Sequence, residues 1–155
     1  MSEGARHSHS PDVPDPEDVL DRCRAEGLRI TRVLRAVVAL LVDRESPVRI
    51  QECAEADPFL AECDTATLYR MFARLEERGI VRQIGMHGRS AWFGLADSFR
   101  HRHYLCCRSC GKVIPLSHEC SVASLEDRIA RESGFADLGH ELTFYGLCPE
   151  CARCA

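Results

Sequence analysis

Hydrophobic positions in this chain fall into two regimes, helical as far as Gly79 and mostly extended beyond it. Glu17–Leu28 places Val19, Leu20 and Cys23 on one face, and Gly27 ends the segment. Thr31 is positioned to cap a second helix, in which Val33, Leu34, Val37, Val38, Leu40 and Leu41 make a wide apolar stripe. Ser46-Pro47 starts a short third helix that runs through about Ala56, and Pro58 stops it. Asp64 or Thr65 caps a fourth, with Leu68, Met71, Phe72 and Leu75 turned inward and Gly79 at its end. Ile80–Ile84 and Ser90–Leu95 then flank a Gly-Met-His-Gly stretch and predict a β-hairpin.

Helices followed by a hairpin are the element order of a winged helix, which reads DNA with one helix in the major groove. After Leu95 the character changes. Residues 96–103 (ADSFRHRH) are polar and suit a hinge. YLCCRSC and GKVIPL predict two strands meeting at a metal knuckle. Ser121–Ser133 predicts a helix with Val122, Leu125 and Ile129 on its inner face, and HELTFYGL a third strand. The expected fold class is α+β. Residues 1–16, polar and without periodicity, are expected to be a disordered tail. Residues 17–95 are expected to form a winged-helix DNA-binding domain, and 96–155 a small α/β domain with its hinge at about 96–102.

Composition alters this picture only in places. No apolar run approaches the roughly 18 residues of a membrane helix, and the first twenty residues lack the apolar core of a signal peptide. A cytoplasmic protein with no membrane partner is expected. The net charge of −4 does not advertise a nucleic-acid binder, but 19 of the 20 cations are arginine, the side chain suited to phosphate and guanine.

Ten cysteines in a chain expected to be cytoplasmic favour metal over disulfides, because four of them form two Cys-x-x-Cys pairs. Cys107, Cys110, Cys148 and Cys151 are expected to hold one structural zinc, whose tetrahedral site is often all thiolate. Closing so long a loop stabilises a domain whose own apolar core is small. Cys106, beside Cys107, offers an alternative register for the first pair, and Cys154 reads as a tail thiol. The remaining cysteines read as small hydrophobes. An enzyme is disfavoured: a zinc deaminase needs His-x-Glu ahead of Pro-Cys-x-x-Cys, whereas Pro149 lies inside the second pair here. No small organic substrate is expected.

GLRIT (27–31), TATLYRMFARLEERGIV (65–81), HRHYLCCRSCGKVI (101–114) and GFADLGHELTFYGLCPEC (134–151) together resemble the ferric uptake regulator family of dimeric, metal-dependent repressors. The resemblance implies a homodimer on a double-stranded DNA operator, with 96–155 as the zinc-stapled dimerisation domain. It also implies that Thr65–Arg78 is the recognition helix, with Tyr69 and Arg70 as its contacting pair. The helical pattern leaves Thr67, Tyr69, Arg70 and Arg74 outward, and Arg29, Arg35 and Arg89 read as phosphate contacts.

The resemblance further implies a regulatory metal at the hinge, Zn2+ or Fe2+, with His101 and His103 as ligands. The family's strand acid is missing, since Phe93 or Gly94 falls there, and Pro47 and Pro115 occupy two other usual ligand positions. His103 lies four residues before Cys107 rather than the family's usual three. Either Cys106 is the knuckle cysteine or the strand holds an extra residue, or else His101 and His103 belong to a second hinge-proximal site shared with His140. The second option needs no insertion and is preferred. Glu119, His118 or Asp97 could supply the fourth ligand. Lost carboxylates favour zinc over iron as effector. The rival readings are a peroxide or thiol sensor on the same scaffold, and a zinc-ribbon interaction module that no longer senses metal.

Overall fold

The computed structural model describes residues 13–88, 90–116 and 120–154. Helix α1 (Pro16–Ala25) begins with proline, which forfeits no helical bond at that position, and the Asp15 side chain accepts the Glu17 N–H. Thr31 caps α2 (Arg32–Asp43), its Oγ1 accepting from Leu34 N at 3.2 Å. The expected third helix ends at Ala56 but starts later than read, and a short extra helix follows it. The start read for the third helix pairs as strand β1 (Val48–Arg49), α3 (Ile50–Ala56) follows, and Pro58 begins the short α4 (Pro58–Ala61) as well as ending α3. The cause is Asp57, whose carboxylate accepts from both Phe59 N and Leu60 N and so caps a new turn.

Helix α5 (Thr65–Glu77) buries Leu68, Phe72 and Leu75. Phe72 is wholly buried and meets the Phe93 ring at 5.2 Å between centroids. Strands β2 (Val81–His87) and β3 (Ser90–Leu95) form the hairpin, and β1 joins β3 to give the order β1-β3-β2. The Gly-Met-His-Gly stretch is therefore not simply the turn. Gly85, Met86 and His87 continue β2, opposite Trp92, Ala91 and Ser90. The register slips between Gln83 and Gly85, and this bulge frees Ile84 from the ladder. Among the described residues α1–α5 and the hairpin share one core, which includes Val19, Leu34, Val38, Leu60, Phe72 and Ile80.

Strands β4 (Tyr104–Cys107), β5 (Val113–Pro115) and β6 (Thr143–Gly146) form a second sheet in the order β5-β4-β6. Helix α6 (Ala123–Ser133) lies between β5 and β6 in sequence, and α7 (Pro149–Ala152) ends the described fold. The expected inner face of α6 is not buried in the single chain: Leu125 is 39% and Ile129 42% exposed. The helix is amphipathic as read, but among the described residues nothing buries its apolar side.

Ile84, freed by the bulge, packs with Tyr104, Cys106 and Val113 in a small core that joins the two sheets. Gly85 allows the close approach: a Cβ there would lie 3.1 Å from Cys106 Sγ. Gly85→Val is expected to lower stability by about 1–3 kcal/mol through overpacking. In a Cys106→Ala background that cost, read from denaturant melts, should fall by more than about half. An equal cost in both backgrounds contradicts the contact.

Candidate metal centres and nucleic-acid interface

Alternation along β4 decides which neighbouring cysteine turns which way. Cys106 enters the small core beside Ile84, and Cys107 faces the knuckle. Burial pushes the Cys106 thiol up, as it does those of Cys23 and Cys53, so these three behave as packing residues. Cys154 is exposed.

The sulfurs of Cys107, Cys110, Cys148 and Cys151 lie within 4.8 Å of one another. Gly111, at φ 74°, supplies the left-handed step that lets the first knuckle turn back into β5. Cys148 N–H donates to Cys107 Sγ at 3.3 Å, and Cys148 Sγ accepts from Cys151 N at 3.5 Å. Backbone N–H groups of Cys110 and then Cys148 hold the Cys107 thiol down at about 6. At Cys151 a Ser109 hydrogen bond lowers the pKa, but the crowding thiols of Cys148 and Cys110 outweigh it and push the group up to about 12. Four thiols around one point cannot all ionise unless a cation offsets their charge. Tetrahedral thiolates on zinc stand roughly 3.8 Å apart, given bonds of about 2.3 Å, and Cys110 and Cys148 stand at 3.8 Å. The donor set fits zinc.

A second cluster forms where the segment after β3 enters the second sheet. His101 and His103 come from the segment entering β4, His140 from the loop before β6, and Cys120 from the lead-in to α6. His103 Nε2 lies 3.1 Å from His101 Nε2 and 2.9 Å from His140 Nε2. Cys120 Sγ lies 3.2 Å from His140 Nε2 and 3.7 Å from His103 Nε2. Tetrahedral ligands on zinc would stand roughly 3.3–3.6 Å apart, so this set also fits a metal ion. His103 is buried and the other three are half-buried. The Glu126 carboxylate, in the first turn of α6, accepts from His140 Nδ1 at 2.7 Å, which leaves Nε2 as the donor aimed at the cluster.

Cys120 was not among the fourth-ligand candidates read from sequence. Those candidates were oxygen and imidazole donors, and the available signal was only that Cys120 adjoins Glu119 and His118 in sequence. Both of those lie outside the described residues. Asp97 instead accepts from Arg82 Nη2 at 3.1 Å.

On α5, Tyr69, Arg70 and Arg74 are exposed and Thr67 half-buried. Tyr69 Oη accepts from Gln51 Nε2 at 2.7 Å, and Arg70 Nη2 donates to Thr67 Oγ1 at 3.2 Å. These contacts hold the outward side chains without burying them. Arg29 is exposed, while Arg35 pairs with Glu17 at 3.0 Å. Arg89 lies outside the described residues.

Fold and sites together define a winged-helix protein joined to a dimerisation-type domain, with two clusters built to take metal. The ferric uptake regulator family model matches residues 25–145. The ferric uptake regulation protein of Campylobacter jejuni is 33% identical over 132 residues, 83% of this chain and 82% of that protein. Against the Neisseria meningitidis ferric uptake regulation protein the match is 32% over 90 residues, 58% of this chain and only 61% of the relative's length. The structure of the ferric uptake regulator from Pseudomonas aeruginosa with manganese superposes with a TM-score of 0.67 at 26% identity, covering 84% of this chain and 97% of that one. The chain belongs to the ferric uptake regulator family, a family of transcription regulators and not of enzymes. No described helix is long and apolar enough to cross a membrane.

Removing the Glu126 carboxylate frees the His140 ring to turn. Glu126→Ala is expected to weaken zinc binding at the histidine cluster by about 10–100-fold, with the four-cysteine site unchanged. Competition titration against a chromophoric chelator measures this, and wild-type affinity in the variant contradicts the role.

Proposed function

We propose that this chain is a homodimeric, metal-dependent DNA-binding repressor of metal homeostasis, with zinc rather than iron as effector. The observation that carries the reading is the His101, His103, Cys120 and His140 cluster, placed between a winged helix and a second sheet. Three imidazoles and a thiolate are borderline-to-soft donors, which favours zinc over the oxygen-rich sets that suit harder ions. The four-cysteine cluster, by this account, takes a second zinc that stays in place and staples the C-terminal module.

Residues 17–95 act as the DNA-binding domain and 96–155 as the dimerisation domain, hinged at about 96–102. Thr67, Tyr69, Arg70 and Arg74 meet the major groove, and Arg29, Arg35 and Arg89 meet phosphates. For Arg35 this requires exchanging Glu17 for phosphate. The partner for dimerisation is a second copy of the chain. Register sets Ile114, Leu105 and Phe144 side by side across β5, β4 and β6, and they are 44%, 38% and 48% exposed. With Leu125 and Ile129 of α6 they offer an apolar face of the kind that interfaces cover.

Regulation is a population shift: the hinge site binds metal more tightly in the dimer arrangement whose winged helices match successive half-sites. Equal affinity for both arrangements would shift nothing. Cys120 favours one secondary reading, in which hydrogen peroxide oxidises its thiol to a sulfenic acid with release of water and so removes a ligand. Mass spectrometry after peroxide treatment separates the readings, because an unmodified Cys120 eliminates the second.

The test uses an operator fragment selected from random DNA by the zinc-loaded protein. At fixed salt, chelating the hinge zinc while the four-cysteine zinc stays in place should lower affinity by about 5–150-fold. His101→Ala with His103→Ala should do the same. The reading is falsified if affinity is unchanged by both.

A further inference from the structure

Among the described residues, the histidine cluster takes no ligand from the winged helix. With those four ligands, metal held there would act on the winged helix through intervening protein groups. The segment that bears His101 and His103 carries them alternately with Arg100, Arg102 and Tyr104, and the two sets turn to different partners. The histidines turn to the cluster. The intervening side chains turn to the winged helix.

Arg100 is only 8% exposed. Its guanidinium donates to Val42 O at 2.7 Å and Arg44 O at 2.6 Å. These carbonyls lie at the C-terminal end of α2, where helical carbonyls lack intrahelical partners and the macrodipole is negative. A forked cation fits both carbonyls at once, as a lysine ammonium would not. Arg102 approaches Glu45 at 3.7 Å, just beyond the same helix.

Arg82 makes the reverse connection from β2. Its Nη2 donates to Arg102 O at 3.2 Å and Asp97 at 3.1 Å, and its Nη1 lies 3.7 Å from Glu141, next to His140. Its guanidinium also stands 5.6 Å from the Tyr104 ring centre. The backbone between the two histidines is thus gripped from the winged-helix side through the carbonyl of Arg102.

We propose that Arg100, supported by Arg82 and Arg102, is the positioning latch that carries occupancy of the histidine cluster to the winged helix. The proposal rests on the hinge-metal reading given above. Ligation that fixes His101 and His103 fixes the short backbone between them, and so sets where Arg100 and Arg102 stand. When the segment is loose, Arg100 no longer holds the end of α2 and the winged helix is free to reorient. The latch moves no metal ligand, so it changes the coupling and leaves zinc affinity itself nearly intact.

The experiment compares full-length wild type and Arg100→Ala, each with its four-cysteine zinc in place, on the selected operator fragment with and without hinge zinc. The variant is expected to bind hinge zinc within about threefold of wild type. Its zinc-dependent gain in DNA affinity should drop to less than about twofold, from the 5–150-fold of an ordinary allosteric coupling. Arg100→Lys should restore only part of that gain. A folded Arg100→Ala protein that keeps the full wild-type gain overturns the latch while leaving the repressor reading standing. A wild type indifferent to hinge zinc overturns both. A second measurement needs no variant: in the wild-type protein, hinge zinc should slow amide hydrogen exchange over residues 42–46, and unchanged exchange there overturns the latch.

Discussion

The five-residue run from Arg100 to Tyr104 has to serve two partners, and most of the functional architecture depends on how it does so. Its odd-numbered members, His101 and His103, meet Cys120 and His140. Its even-numbered members grip the end of α2, approach Glu45, and pack beneath β2. A chain that alternates side chains can connect a metal-ligating cluster to a DNA-binding module without any ligand crossing between them. The remaining features support that division: the bulge that turns Ile84 toward Tyr104, and Gly85 passing against Cys106.

The two clusters differ in ways that suit different tasks. The four-cysteine cluster joins two knuckles that are distant in sequence, one between β4 and β5 and one leading into α7. It closes a long loop in a region with little apolar core of its own, which is the work of a structural metal. The histidine cluster instead joins the segment entering β4 to the lead-in of α6 and the loop before β6. Glu126 ties α6 to it through His140. Helix α6 buries none of its side chains, so this hydrogen bond is a direct tie between the helix and the imidazole.

Much of the fold was legible in the sequence because helical periodicity and caps act locally. Thr31 and the inward set Leu68, Phe72 and Leu75 needed no tertiary information. The hairpin's length and bulge were not legible, because Gly85 remains in the strand for a contact with Cys106, a residue twenty-one positions away. The role of Pro58 was hidden by Asp57, since an Asp-Pro pair ends one helix and caps the next with equal facility. Leu125 and Ile129 share the apolar side of α6, yet among the described residues nothing buries them. Of the two clusters, the Cys-x-x-Cys pairs announced themselves by spacing. Cys120 did not, because a lone cysteine on a loop has no periodicity or paired spacing to mark it, and only the fold brings it to three imidazoles.

The central claim is that a second metal ion binds through three imidazoles and the Cys120 thiolate. Zinc X-ray absorption on protein loaded with one and then two equivalents isolates that site by difference. The account predicts three nitrogens at about 2.0–2.1 Å and one sulfur at about 2.3 Å for the second zinc, with the sulfur lost in Cys120→Ser. A second zinc without sulfur, or no second zinc taken up at saturation, contradicts it.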